Sequence, residues 1–213
     1  MFFQNRQEAG KKLASEIFKY RKENPFVLAI PKGGVPIGYE IAEVLLAPLE
    51  VLVVRKIVLS GDKDFGIGVI AEGGIKILDQ TTIEVLGIDD VELKDTIDLE
   101  EKELEKRVEI YRGGELPSLT GKTVILADDG MATSMTAKAA VEAVKKLDPK
   151  KIIFATPVCV LDMAENLRRL IDDVICLAAP AEFMAEKFWY DNFTQMSDEE
   201  ILRLLEENRK RNG

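Results

Sequence analysis

The chain has 213 residues, 46% of them apolar and 31% charged, enough for one large globular domain or two small ones. With 29 basic and 38 acidic residues its net charge is −9, a poor match to a general nucleic-acid binder or to an anionic membrane surface. It contains no histidine, which excludes Ser-His-Asp and Cys-His catalysis, HExxH zinc sites, His-ligated haem and phosphohistidine chemistry.

The first residues, MFFQNRQEAGKK, turn polar too soon for a signal-peptide core, and no apolar run approaches the ~20 residues of a membrane span. A soluble cytoplasmic protein is expected. Ala9, Leu13, Ile17 and Phe18 recur at helical spacing and predict an amphipathic helix within Asn5–Lys22. Phe26–Pro31 reads as a buried strand and Val35–Leu46 as a helix. Leu49–Leu59, rich in β-branched residues, predicts the next strand. Ser60–Gly66 is turn-rich, and the runs flanking Gly73-Gly74 predict a hairpin.

Asp89–Ile110 predicts a charged helix. Its ten acidic and four basic residues account for six of the nine excess negative charges, so the acidity reads as one solvated helix face. Regular alternation follows. Strands are expected at Thr123–Ala127, Lys151–Val158 and Asp173–Ala178, and helices at Thr136–Leu147 and Asp162–Leu170. Ser197–Arg209 predicts a last helix, with Ser197 and Glu200 forming a capping box. Cys159 and Cys176, both in apolar runs, read as buried reduced thiols. Strands alternating with helices imply right-handed βαβ units. The expected fold is α/β, a doubly wound and mostly parallel sheet in a single domain over residues 1–213, with a small hood at about residues 60–78 and 180–196.

Ligands of open parallel sheets bind beyond the carboxyl ends of the strands, where the strand order switches. Three segments there carry chemistry. The first is Asp128–Thr136, DDGMATSMT. Its helix-start amides and the hydroxyls of Thr133, Ser134 and Thr136 suit a phosphate, and its two carboxylates suit a diol or, through water, Mg²⁺. A plainer alternative is two solvated aspartates and an ordinary hydroxyl cap. The second is PKGGVPIG from Pro31 to Gly38, whose glycines permit close backbone approach and whose Lys32 adds a cation; it matches neither Walker A nor GxGxxG. The third is Arg55-Lys56, adjacent cations that place one side chain on each face of an otherwise apolar strand.

Together these segments resemble the type I phosphoribosyltransferase family, whose signature is four apolar residues, two acids and a Thr/Gly-rich loop; here it is VILA-DD-GMATSMT. The stretches PKGGVPIG, VVRK, IGVIAEGG, ADDGMAT and WYDNFTQMSDEE resemble still more closely an uncharacterised bacterial and archaeal subgroup, over nearly the whole chain. The resemblance implies that Asp128 and Asp129 hold the ribose hydroxyls of phosphoribosyl pyrophosphate (PRPP) and any metal contact only indirectly. It implies that Ala132, Thr133, Ser134, Met135 and Thr136 cradle the 5′-phosphate. Lys32 and Gly33, near a non-proline cis peptide, would bind pyrophosphate together with Arg55 and Lys56. Ser60–Gly74 would close over the site, with Mg²⁺ as cofactor and a homodimer as assembly. Phe188, Trp189 and Tyr190 could stack a nitrogenous acceptor, or form an aromatic lid on the core.

Two departures from the family pattern carry expectations. Ser134 and Met135 stand where glycine is usual, so a loop needing positive φ there would strain Met135. Ala132 replaces the acid found in 6-oxopurine enzymes, which disfavours hypoxanthine or guanine salvage. The expected activity is phosphoribosyl transfer from PRPP to a nitrogenous small molecule. The alternative is a non-catalytic PRPP- or nucleotide-binding regulator.

Overall fold

The computed structural model describes residues 2–59, 66–131, 133–180 and 185–212. Strands β1 (Pro25–Ala29), β2 (Leu49–Val51), β6 (Thr123–Ala127), β7 (Lys151–Val158) and β8 (Asp173–Ala178) form a parallel sheet in the order β2-β1-β6-β7-β8. Period-2 alternation splits its residues between two cores. Val27, Ala29, Ile125 and Ile153 face helices α1 (Arg6–Ile17), α2 (Gly34–Leu45) and α7 (Asp198–Asn212). Phe26, Leu28, Val124, Leu126 and Phe154 face α5 (Ser134–Lys145) and α6 (Leu161–Arg168). Because both faces are covered, the strands read as continuous apolar runs rather than as alternating ones.

The topology positions the site. The connection through α2 carries the chain from β1 outward to β2, while α5 carries it from β6 the other way to β7. The order therefore reverses between β1 and β6, and the loops leaving those two strands diverge around a crevice.

The stretch Leu49–Leu59 is two strands rather than the one expected. It ends in the parallel sheet at Val51 and restarts as β3 (Val54–Val58), which pairs antiparallel with β4 (Gly66–Ala71). The break has a local cause: the Val53 amide donates to Glu72 Oε1 at 2.7 Å, and Arg112 Nη1 donates to the Val51 carbonyl at 2.8 Å. Side chains thus take ladder groups that a continuous strand would need.

Strands β3, β4 and β5 (Ile75–Leu78) form a separate antiparallel sheet, with the expected hairpin turn at Gly73-Gly74. Ile57, Ile67, Ile70 and Ile83 make its small core. Helix α3 (Gln80–Leu86) is an addition, capped by the Asp79 carboxylate and ended by Gly87 in the left-handed region. Helix α4 (Asp90–Tyr111) lays Leu93, Ile97 and Leu104 against this core. Residues 60–65 of the expected closing loop lie outside the described residues.

Helix ends follow the sequence signals. The Asn5 side chain accepts from the Glu8 amide at 2.9 Å. The Ser197–Glu200 capping box forms in both directions, at 2.8 and 3.2 Å. Cys159 and Cys176 are both free thiols, the first buried and the second half-buried. Among the described residues no helix is long and apolar enough to cross a membrane.

Candidate functional site

A cleft of about 250 Å³ opens at the carboxyl ends of β1 and β6. It gathers the three segments that were separate in sequence. Pro31, Lys32 and Gly33 come from the β1–α2 loop, Arg55 and Lys56 from β3, Asp128, Asp129 and Thr133 from the β6–α5 loop, and Thr136 from the first turn of α5. Ser134 and Met135 do not reach its wall, and Ala132 lies outside the described residues.

The acidic side is held from within the fold. Asp128 Oδ1 accepts the Asp129 amide at 2.9 Å. Asp129 Oδ2 accepts Arg6 Nε at 2.7 Å, and the Asp129 carbonyl accepts the Tyr190 hydroxyl at 2.6 Å. The Asp128 carboxyl also hydrogen-bonds the Asp129 carboxylate, so the two side chains form one acidic pair at the cleft. Burial, and then the neighbouring Asp129 charge, push the Asp128 carboxyl well above the usual carboxylate range. Burial also raises the Tyr190 phenol, which stays protonated and donates.

Close approach fixes the loops against each other. A Cβ added at Gly33 would sit 1.9 Å from Asp129 Oδ2, so the backbone of the β1–α2 loop rests directly on that carboxylate. A Cβ at Gly130 would sit 2.4 Å from Cγ of Glu186, another residue of the cleft wall. The peptide bond between Pro31 and Lys32 is cis, one bond before Lys32-Gly33.

The cationic side is held differently. Lys32 Nζ lies 3.0 Å from Asp198 Oδ1, and Arg55 Nη2 lies 2.6 Å from Oε2 of buried Glu100. Asp198 is shared: Arg107 Nη1 donates to both of its oxygens at 2.9 Å and the Tyr111 hydroxyl donates at 2.5 Å. The Tyr111 bond, then Lys32 and Arg107, hold the Asp198 carboxyl below its ordinary value. Burial and the Asp198 bond push the Tyr111 phenol up to about 12. Lys56 is exposed at the cleft and has no ion-pair partner among the described residues. Helix α4 is thus more than a solvated acidic face, because its Glu100 turns inward to meet Arg55.

The β6–α5 loop answers the question raised by Met135. Ser134 opens α5, and neither it nor Met135 has positive φ. The Met135 side chain packs partly into the core beneath α5. Glycine is not needed where the backbone is helical. The helix N-cap, Thr133, makes no side-chain capping bond and lines the cleft with Thr136, so the N-terminus of a 12-residue helix lies at the cleft without a side-chain cap.

The aromatic segment supports the loop from behind. Tyr190 is buried in the core with its hydroxyl on Asp129, and Trp189 stacks on Phe2 at 5.7 Å. Phe188 is half-exposed. None of the three lines this cleft. Sequence reasoning missed Arg6, Glu100, Glu186 and Asp198. A signal existed for two of them: Arg6 is a cation in the first turn of a helix, where the dipole disfavours it, and Asp198 sits beside a capping serine.

The model of the phosphoribosyl transferase domain family matches residues 3–186. The chain belongs to this family. Two curated Mycobacterium tuberculosis relatives, each named "Putative phosphoribosyl transferase", are 37% identical to this phosphoribosyl transferase domain over 211 residues, 96% of this chain and 46% of theirs. The chain thus spans about half the length of the curated relatives it matches. The crystal structure of TT1426 from Thermus thermophilus is 30% identical with a TM-score of 0.76, covering 97% of this chain and 99% of that one. The Aquifex aeolicus protein AQ2163 shares the fold at 12% identity and a TM-score of 0.54, over 85% of this chain and 77% of its own.

Proposed function

We propose that this phosphoribosyl transferase domain binds PRPP with Mg²⁺ and transfers its phosphoribosyl group to a nitrogen of a small acceptor. The observation that carries this reading is that one cleft gathers a helix N-terminus without a side-chain cap, the adjacent carboxyls of Asp128 and Asp129, and the cations Lys32, Arg55 and Lys56. That set supplies a counterpart for each part of PRPP: 5′-phosphate, ribose diol and pyrophosphate.

In the reaction the acceptor nitrogen forms a bond to the ribose anomeric carbon as the carbon–oxygen bond to pyrophosphate breaks. The nitrogen's proton leaves to solvent or to a carboxylate. The first-turn amides of α5 and the hydroxyls of Thr133 and Thr136 bind the 5′-phosphate. Asp128 and Asp129 accept from the vicinal hydroxyls and orient the sugar. Lys32, Arg55 and Lys56 stabilise the charge that develops on the leaving group. Among the described residues no group of three or more carboxylate or thiol side chains could hold a metal, and two adjacent carboxyls at the cleft fit a Mg²⁺ carried by the ligand and water. When bound, Mg²⁺ supplies further neutralisation of pyrophosphate charge.

Calorimetry with PRPP, with and without Mg²⁺, followed by a pyrophosphate-release screen across nitrogenous bases, tests the proposal. Mg²⁺-dependent binding with release for at least one base is expected. Absence of PRPP binding would overturn it, and binding without release for any base would point to the regulatory protein instead.

A further inference from the structure

Arg6 occupies a position that physical chemistry disfavours twice. It is 9% exposed, and burying a guanidinium carries a desolvation cost. It is also the first residue of α1, where a cation opposes the helix dipole. What offsets both is a set of contacts to the acidic loop and to the segment that precedes α7. Its Nε donates to Asp129 Oδ2 at 2.7 Å and its Nη1 to the Thr194 carbonyl at 2.9 Å. The guanidinium lies 3.8 Å from the Phe193 ring centroid. The contacts around it are equally local. The Phe3 amide donates to the Trp189 carbonyl and its carbonyl accepts the Asp191 amide, both at 2.9 Å, which sets Phe3 beside Tyr190, and Tyr190 donates to the Asp129 carbonyl. Residues near both ends of the described chain thus meet on one aspartate.

We propose that Arg6 is a positioning residue for ribose recognition. By taking Asp129 Oδ2 it fixes the rotation of that carboxylate and leaves Oδ1 directed to the ligand's diol. Arg6 itself touches no ligand and acts through Asp129. The proposal rests on the PRPP reading above and adds to it a residue from outside the three cleft loops.

Inorganic pyrophosphate separates this role from a general structural one, because it reaches the cationic side without needing the diol acceptors. Calorimetry on wild type and Arg6→Gln, each with Mg²⁺-PRPP and Mg²⁺-pyrophosphate, is the test. PRPP affinity is expected to fall roughly tenfold while pyrophosphate affinity holds within about twofold. In an Asp129→Asn background, Arg6→Gln is expected to cause no further loss of PRPP affinity. Arg6→Lys keeps the cation without the planar fork and is expected to give an intermediate PRPP-to-pyrophosphate ratio; it decides the matter if the Gln variant does not fold. Equal loss of both ligands, an unchanged ratio in both variants, or a full further loss in the Asp129→Asn background overturns the role of Arg6 alone. Wild-type protein that binds pyrophosphate but not PRPP overturns the PRPP reading, and this inference with it.

Discussion

The two sides of the cleft carry opposite charge and are held by opposite means. On the acidic side, Asp128 and Asp129 are fixed by a backbone amide, a buried arginine and the closely apposed Gly33 backbone. On the cationic side, Lys32 and Arg55 rest on carboxylates of α7 and α4, and the Lys32 pair is partly open to water. A rigid acceptor set suits a diol, whose hydroxyls have one geometry. A cation such as Lys32, resting on the half-exposed Asp198, suits a polyphosphate, which can replace a screened carboxylate. The acidic side should therefore respond to substitution by losing recognition, and the cationic side by modest changes in affinity.

The largest effect is expected from Asp128→Asn combined with Asp129→Asn. Mg²⁺-PRPP affinity should fall at least about 100-fold by calorimetry, with circular dichroism unchanged, because both acidic acceptors for the diol are removed. Retained affinity would break the assignment of the acidic side.

Gly33→Ala should come next. The new methyl would displace Asp129 or shift the β1–α2 loop, costing about 1–3 kcal/mol in denaturant unfolding and weakening PRPP and pyrophosphate together. Loss of PRPP alone would show that only Asp129 moved.

Asp128→Asn by itself should stabilise the ligand-free protein. The folded-state carboxyl is shifted upward, so the native state binds more protons than the unfolded state between the two pKa values, and stability falls as pH rises through that window. Above the folded pKa the cost is fully present, and the neutral amide avoids it. At neutral pH the melting temperature should rise, as read by thermal unfolding of both proteins side by side. The gain should vanish toward the unfolded carboxylate pKa. A lower melting temperature at neutral pH would mean that the Asp128 charge is better solvated than its surroundings indicate.

The smallest effect is expected from Asp198→Asn, which removes the carboxylate competing for Lys32. Pyrophosphate affinity should tighten by about twofold to threefold at low salt, with the gain fading at high ionic strength. Weaker binding would recast Asp198 as a support that orients Lys32.

Much of this arrangement was legible in the residues. Buried parallel strands announce themselves as short apolar runs, and the acids, glycines and cations stand where those runs end, so the three cleft segments could be named from chain order. The Ser197–Glu200 box was legible because capping is local in sequence. The division of Leu49–Leu59 was not, because Glu72 and Arg112 cause it from 19 and 61 residues away. The bond from the Tyr190 hydroxyl to the Asp129 carbonyl met the same limit, because it spans 61 residues.

The sequence by itself determined the fold class, the strand ends and the kinds of group available for chemistry, because periodicity, turn residues and side-chain type act over a few residues. Tertiary structure alone decided which charges are free. Arg6 is 123 residues from Asp129, and Arg55 is 45 from Glu100. Ion pairing and desolvation depend on distance in space, and chain order carries no record of that until the sheet has brought the loops together.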